Sequence, residues 1–123
     1  MKVTGFTFIK NAEIYDYPIV EAITSILPIC DACVVAVGKS KDQTLQRIQN
    51  IGSPKISILE TEWDETAREG GKVLAMETDK ALAQIARDSD WAFYIQGDEV
   101  VHENYLETIQ QAMRKYKDDM RVD

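Results

Sequence analysis

The sequence predicts an α/β fold of three layers, a mostly parallel sheet with helices on both faces. Short runs rich in β-branched and aromatic residues alternate with longer segments whose apolar residues recur every three or four positions. The run at residues 33–37 is apolar without interruption, which is typical of a parallel strand covered on both faces. Strands and helices that alternate in this way imply right-handed crossovers between parallel strands.

Four strands are expected, each a run enriched in Val, Ile, Phe, Tyr or Trp that ends at polar or turn-prone residues. They are predicted at residues 3–9, 33–37, 56–59 and 91–95. In a parallel sheet the ligand lies beyond the carboxyl ends of the strands. The four turns that follow these strands are therefore where we expect a functional site.

Four helices are expected between and after the strands. The first begins near residues 16–18, where Pro18 suits the first turn, and Asp42 can cap the second. The third follows a polar segment at residues 61–71, interrupted by Trp63, whose length favours a functional loop. The fourth spans residues 105–116. The residues predicted to face inward are Ile19, Val20, Ile23, Ile26 and Leu27, then Leu45, Ile48 and Ile51, then Leu74, Thr78, Ala81, Leu82 and Ile85, and finally Leu106, Ile109, Met113 and Tyr116.

Composition predicts one soluble domain that spans residues 1–123, with 45% hydrophobic and 28% charged residues. The net charge of -7 disfavours nucleic acid as a partner, because a polyanion would be repelled. No apolar stretch approaches the roughly 20 residues that span a bilayer. Met1 leads almost directly into a strand rather than a signal peptide, so we expect a cytoplasmic protein.

Two cysteines, Cys30 and Cys33, form a C-x-x-C pair. In redox proteins such a pair follows a strand and opens a helix, whereas here a helix runs into the pair and a strand leaves it. A structural zinc site would need two further Cys or His ligands, and the chain offers only His102. Buried, structural cysteines are the favoured interpretation.

The first strand-to-helix turn carries no phosphate-binding fingerprint. Nicotinamide-binding proteins and P-loop proteins need closely spaced glycines there, and residues 10–13 contain none. A nucleotide, if one binds, must be held in a different way.

The fourth strand ends abruptly in polar residues at positions 96–99. Asp98 and Glu99 place two carboxylates beside Gly97, and Mg²⁺ or Mn²⁺ prefers such oxygen ligands together with the phosphates of a substrate. Asp98 is the first candidate for a metal ligand. The alternative is that both acids only begin a turn and a helix, since acids favour helix N-termini.

Glu99 and His102 have E-x-x-H spacing, but a di-iron bundle needs a second such pair and a zinc protease needs two histidines. A solvent-facing His102 is therefore favoured. In the long loop, Arg68 and Lys72 flank two glycines just before a helix, a setting that suits phosphate groups. These two cations are equally compatible with an ordinary charged surface.

With these residues in view, the chain resembles the N-terminal, nucleotide-binding half of a family 2 glycosyltransferase with the GT-A fold. The likeness covers nearly the whole chain. It rests on an opening strand that ends in a turn with Asn11, on a turn at residues 37–44 similar to the family's D-D-G-S-x-D-G-T, and on a later strand that ends like the D-x-D metal motif at residues 96–98. Val37, Gly38 and Gln96 depart from it, because each stands where the family usually has an acid.

The resemblance implies a Rossmann-like donor domain that binds a nucleotide-sugar donor with Mg²⁺ or Mn²⁺ for inverting transfer of the sugar. The site residues that it implies are Asn11, Gly38, Arg68, Lys72 and Gln96 for the donor, and Asp98 and Glu99 for the metal. It assigns no general base, and we expect the chain to be part of a longer protein with an acceptor region. A homo-oligomer formed through an uncovered sheet edge is a further expectation.

Two alternatives remain open at this stage. A nucleotidyltransferase that makes activated sugars shares the layout, although such enzymes usually have a glycine-rich, basic first loop. A non-catalytic domain that keeps the fold and binds a nucleotide or a protein is favoured by the loss of the family's acids.

Overall fold

A computed structural model describes residues 1–63 and 70–117, with only the backbone for residues 70 and 71. The described strands form one fully parallel sheet in the order β3-β2-β1-β4, which confirms the predicted fold class. The strands are β1 (Val3–Ile9), β2 (Ala32–Gly38), β3 (Ile56–Thr61) and β4 (Trp91–Tyr94). The helices are α1 (Ile19–Ile26), α2 (Thr44–Gln49), α3 (Gly70–Ala83) and α4 (Leu106–Tyr116), with short 3-10 turns at Leu27–Ile29 and Glu103–Tyr105.

Helices cover both faces of the sheet. On one face α1 packs with α2 and α4, and the alternate residues Cys33, Val35 and Val37 of β2 point toward them. On the other face α3 contributes Ala81 to a cluster with Phe6. Both faces of β2 are therefore buried, which explains why this strand is an unbroken apolar run.

The first strand has the predicted bounds, and several other boundaries differ from the predicted ones by one to three residues. The second and third strands extend further than predicted, and the fourth ends at Tyr94 rather than at Ile95. Pro18 lies just before α1 rather than within its first turn, and α4 begins at Leu106 after its 3-10 turn. Such shifts are ordinary, because helix and strand ends are set by local hydrogen bonds that periodicity does not report.

The inward residues predicted for the third helix are confirmed only in part: Ala81 is buried and Ile85 packs against its cluster, but Leu74 and Leu82 were predicted wrongly. Leu74 is 46% exposed and Leu82 is 40% exposed, whereas Glu77 is 1% exposed and lies beside Ala81 on the buried face. Glu77 can be buried because its carboxylate accepts the hydroxyl of Thr61 and pairs with the ammonium of Lys80 at 2.6 Å. The buried face of α3 therefore carries Glu77, paired with Lys80, rather than Leu74 and Leu82, which apolar periodicity places there.

Cys30 and Cys33 are both buried and unpaired by a disulfide, as the order of elements around them predicts. Burial raises the pKa of Cys30 to about 11 and that of Cys33 to about 12. Both thiols therefore stay protonated at neutral pH and act as small core residues.

None of the helices in the described part of the chain has the length and apolar character needed to cross a bilayer.

Asp42 holds the turn after β2 against the turn after β1. Its Oδ1 accepts the amide of Thr44 at 3.0 Å as well as the Thr44 hydroxyl, and its Oδ2 accepts the amide of Ile14 at 2.9 Å. Asp42 lies two residues before α2 and so supports the start of the helix without occupying the cap position, which is Gln43. Partial burial works to raise the pKa of Asp42, but hydrogen bonds from Thr44, Ile14 and the Glu13 backbone outweigh it and hold the pKa below 3.8.

Replacing Asp42 with Asn is expected to lower the free energy of unfolding at pH 7 by at least about 1 kcal/mol. The side-chain amide has a single acceptor oxygen, so either the Ile14 amide or the Thr44 amide loses its partner, and the bonds that remain lose their charge. The folded-state pKa is depressed, so this stabilisation is present above pH 3.8 and is lost as the pH falls below it. Urea unfolding of both proteins between pH 7 and pH 3 should show the difference shrinking at the acid end. Asp79→Asn, an exposed position on α3, is the control and should change stability by less than about 0.5 kcal/mol. A difference between the Asp42 proteins that stays constant down to pH 3 would contradict the assignment.

Candidate functional site

A cleft of about 330 Å³ lies where β1 and β4 end. From β1 the chain moves outward through β2 to β3 and then returns to place β4 on the opposite side of β1, so the strand order reverses between β1 and β4. Crevices at such a switch point are where open α/β sheets bind ligands. The cleft is lined by Phe8, Ile9, Lys10, Tyr17, Trp63, Leu74, Tyr94, Gln96, Gly97 and Asp98.

One side of the cleft is the turn that follows β4. Glu99 closes this turn, because its Oε1 accepts the amide of Gln96 at 2.9 Å and its own amide donates to the Gln96 carbonyl at 3.0 Å. Gly97 packs directly on β1, where a Cβ would lie 2.7 Å from Cδ1 of Ile9. The side chains of Gln96 and Asp98 are exposed at the cleft.

The carboxylates at this turn could bind a metal ion only together with a bound molecule that supplies further oxygen ligands. Among the described residues no group of three or more Asp, Glu, His or Cys side chains could enclose an ion. Both carboxylates are exposed; Glu99 accepts the Gln96 amide through one oxygen, and Asp98 lines the cleft. One carboxylate together with phosphate oxygens and water is a usual arrangement for Mg²⁺, so Asp98 fits a metal that arrives with a phosphorylated ligand.

The other side of the cleft is aromatic. Phe8 stacks on Tyr94, with ring centroids 6.0 Å apart, and meets Trp63 edge to face at 6.3 Å. Partial burial, and then the charges of Glu99 and Asp98, raise the pKa of Tyr94. The phenol therefore stays protonated and can donate a hydrogen bond beside Asp98.

Trp63 rests on the end of β2. A Cβ at Gly38 would lie 2.5 Å from Nε1 of Trp63, so the glycine makes room for the indole. The buried indole N–H has no hydrogen-bond partner among the described residues, and the ammonium of Lys10 lies 5.4 Å from the ring centroid. The ring is thus held by packing and by a cation–π contact.

A second cleft of about 480 Å³ lies beyond the ends of β2 and β3. Seven of its ten lining residues are polar or charged; the lining consists of Val37, Gly38, Lys39, Ser40, Asp42, Leu45, Gln46, Glu60, Thr61 and Glu62. Gly38 belongs to this cleft and Trp63 to the first, so the indole stands where the two clefts meet.

The structure separates the residues that the sequence predicted for the site. Gln96 and Asp98 line the first cleft and Gly38 lines the second. Asn11, in the left-handed region at φ 53°, joins two turns: its Oδ1 accepts the amide of Lys41 at 2.8 Å, and its amide donates to Oγ of Ser40 at 2.9 Å.

Of the two cations predicted to bind phosphate, the structure describes only Lys72. Lys72 is exposed in the first turn of α3, two residues before Leu74 in the cleft lining. Arg68 lies outside the described residues. His102 is exposed, and its Nδ1 accepts the amide of Asn104, as a solvent-facing role predicts.

Sequence reasoning missed the aromatic side of the cleft. Phe8 and Tyr94 were assigned only to strands, and Trp63 was noticed only as an apolar residue in a polar loop. The signal that could have found them is their position, since Trp63 and Tyr94 each lie at or just beyond a strand's carboxyl end.

No family model and no curated protein matches this chain, whereas solved structures do. The crystal structure of S. aureus TarS superposes with a TM-score of 0.69 at 19% identity, over 94% of this chain and 20% of TarS. TarS 1-349, alone and in complex with UDP, superposes with a TM-score of 0.68 at 20% identity, over 94% of this chain and 33% of that one. The chain therefore shares the fold of the matching part of TarS. The chain spans between a fifth and a third of these proteins, and at this level of identity the likeness establishes the fold alone.

If Gly38 makes room for Trp63, a methyl group at position 38 should be costly only while the indole is present. Gly38→Ala is expected to lower the free energy of unfolding by about 1–3 kcal/mol, the usual cost of overpacking. In a Trp63→Leu background the same change should cost at least about 0.5 kcal/mol less, because contacting residues are energetically coupled. Urea unfolding of the four proteins measures this coupling. Equal costs in the two backgrounds would show that the indole does not rest on Gly38.

Proposed function

We propose that this chain is the nucleotide-binding part of a family 2, GT-A type glycosyltransferase. It binds a nucleoside diphosphate sugar in the cleft between β1 and β4, with a divalent cation on Asp98, for inverting transfer of the sugar to an acceptor. The observation that carries the proposal is the placement of Asp98 and Gln96 in a cleft at the switch point of the sheet. The likeness to TarS, which has been crystallised with UDP, supports it.

Asp98 would hold the metal, in a cleft that it shares with Gln96. When bound, Mg²⁺ or Mn²⁺ neutralises the charge that develops on the departing diphosphate. Gln96 can accept a hydrogen bond from a metal-bound water or offer its amide to a sugar hydroxyl, but it supplies no charge. The metal is therefore expected to bind weakly by itself and tightly only together with the nucleotide.

The remaining side chains of the cleft position the donor. Tyr94 offers a protonated hydroxyl beside Asp98, and Lys10 places positive charge at the end of β1. Lys72, in the first turn of α3, and Arg68, which lies outside the described residues, are proposed to bind the diphosphate. Transfer also needs a carboxylate that takes the acceptor's proton, and we assign that role to no residue of this chain.

A second candidate function is a domain that binds a nucleotide without catalysis. It is favoured by the engagement of Glu99 in its own turn together with the neutral Gln96, which leaves Asp98 as the carboxylate offered to a metal by this turn. A nucleotidyltransferase is less well supported, because the first turn has no glycine.

The metal proposal predicts that UDP or GDP raises the melting temperature and that Mn²⁺ increases this shift. Asp98→Asn should remove the increment due to Mn²⁺, because it deletes the charge and keeps the shape. Glu99→Gln is the matched control: its amide oxygen can still accept the Gln96 amide, so most of the increment should remain. A shift that depends equally on Mn²⁺ in the Asp98 variant would contradict the metal site. Absence of any shift with either nucleotide would contradict the proposed function as a whole.

A further inference from the structure

We propose that a second anion-binding site lies at the amino edge of the sheet, where the parallel strands begin, and that it binds a phosphate monoester. A cavity of about 340 Å³ lies there. Its lining includes Val3 at the start of β1, Asp31 directly before β2 and Lys55 directly before β3. Because β1 has seven residues and a strand rises about 3.3 Å per residue, roughly 20 Å separate this edge from the carboxyl edge. The cavity is therefore distinct from the cleft at Asp98.

One cation of this cavity, Lys55, is held in place by the residue that follows α1. Its ammonium donates to the carbonyl of Leu27 at 2.8 Å, and its own carbonyl accepts the amide of Cys33 at 2.8 Å. Lys55 forms no ion pair with any residue that the structure describes. Since an ammonium has three N–H donors, two remain for a ligand. Lys55 is thus a positioned positive charge that can still donate hydrogen bonds.

The second cation, Arg114, comes from α4 together with Gln110. The two residues are one helical turn apart, and both line the cavity. Arg114 is exposed, and within residues 1–63 and 70–117 it has no hydrogen bond and no ion pair. This is so although acidic residues outnumber basic ones in the chain by 21 to 14. The guanidinium therefore keeps all five of its N–H donors for a ligand.

One carboxylate, that of Asp31, also lines the cavity. Its Oδ2 accepts the amide of Val3 at 2.8 Å, and its own amide donates to the Val3 carbonyl at 2.7 Å, so β1 fixes its position. Among the charged side chains of the lining, two cations stand against this one carboxylate. The remaining positive charge favours an anion, and Asp31 weakens the binding of that anion.

The two cations differ in shape, and this difference favours phosphate over carboxylate. A guanidinium binds two oxygens of an anion as a fork, whereas an ammonium acts as a point charge. A carboxylate has only two oxygens, and the fork of Arg114 uses both. A phosphate monoester has three acceptor oxygens and a charge of about -1.5 to -2 at pH 7, so it can bind Arg114 and Lys55 together.

The volume of the cavity leaves room for more than the phosphate group. Sites for small molecules begin at about 300 Å³, and this cavity is of that size. The side-chain amide of Gln110 can donate a hydrogen bond to a hydroxyl group or accept one from it. A small polar phosphate monoester therefore suits the lining. Such a group occurs free, as in glycerol 3-phosphate, and at a membrane surface, as in phosphatidic acid.

NMR titration tests the site directly. Glycerol 3-phosphate is the soluble probe, and glycerol and acetate, which lack phosphate, are compared with it at constant ionic strength. The side-chain amide of Gln110 and the Nε–H of Arg114 should shift in a saturable way with glycerol 3-phosphate only. The amide of Gly97, in the lining of the other cleft, should not respond, which separates this site from the proposed nucleotide site.

Charge variants assign the binding to named side chains, with the Gln110 amide as the signal. Arg114→Gln and Lys55→Gln should each raise the Kd about fivefold or more, because each removes a charged hydrogen bond. Lys115→Gln is the matched control: it removes the same charge from the next position of α4, outside the lining, and should change the Kd by less than about twofold. Asp31→Asn should lower the Kd, because the repelling charge is lost while the amide oxygen still accepts the Val3 amide.

Sedimentation with phosphatidylcholine vesicles, with and without phosphatidic acid, distinguishes the two sources of the phosphate. Binding that requires phosphatidic acid, is lost in Arg114→Gln and is kept in Lys115→Gln would support the site with a lipid headgroup as its ligand, and saturable binding of glycerol 3-phosphate would support it with a free ligand. Equal affinities of Arg114→Gln, Lys55→Gln and Lys115→Gln would overturn the proposal, as would equal shifts with acetate. No response of Gln110 to glycerol 3-phosphate, together with no binding to the vesicles, would also overturn it.

Discussion

The structure depends on β1, which lies between β2 and β4 and is covered on both faces. Its backbone pairs with both neighbouring strands, so a change in its register would displace every turn at the carboxyl edge. Gly5 allows α1 to pack directly on this strand, since a Cβ there would lie 2.9 Å from Cδ1 of Ile26. The strand end at Ile9 then supports Gly97 from the β4 side, and Phe8 supports Trp63 from the other. Both sides of the cleft are thus built on consecutive residues of one strand.

The turns at this edge are joined to one another by short polar contacts. Asn11, after β1, forms hydrogen bonds with Lys41 and Ser40 in the turn after β2. Asp42, in that same turn, accepts the amide of Ile14 from the turn after β1. On the face of the sheet covered by α3, Glu77 accepts the hydroxyl of Thr61 and so fixes the end of β3. Because a buried polar group must find partners, these contacts fix the geometry of the edge more narrowly than apolar packing alone would. Asn11, a donor-binding candidate from the sequence, therefore also carries structural hydrogen bonds.

Local patterns in the sequence were enough to predict the fold. Each strand is a continuous β-rich run, and the buried spacing of α1 gave its inward face correctly, with Ile19, Ile23 and Ile26 buried. The position of Asp98 followed from the same reasoning, because a polar residue after a buried strand lies at the carboxyl edge of the sheet. The sequence patterns therefore predicted where each residue lies along its strand or helix.

Contacts between distant segments could not be predicted in this way. The burial of Glu77 depends on Thr61 at the end of β3, and periodicity within α3 carries no information about that partner. The contact between Trp63 and Gly38 could not be predicted for the same reason. A glycine after a strand predicts only a turn, whereas the space of a side chain at Gly38 is filled by the indole of Trp63 from another segment of the chain. Sequence reasoning therefore located the edge and its carboxylate but not the aromatic side opposite them.

The charge of the molecule constrains how an anionic ligand can bind at this edge. The chain carries a net charge of -7, and Glu60, Glu62, Asp98 and Glu99 all lie at or near the carboxyl ends of β3 and β4. A diphosphate entering this field is repelled unless cations accompany it, since like charges in a partly closed cleft are poorly screened. Lys10 supplies one positive charge beside Trp63, and a divalent ion on Asp98 would convert a repelling carboxylate into an attachment point. Binding of a nucleotide and binding of a metal should accordingly be coupled, each raising the affinity for the other, as any pair of ligands with a favourable mutual interaction must.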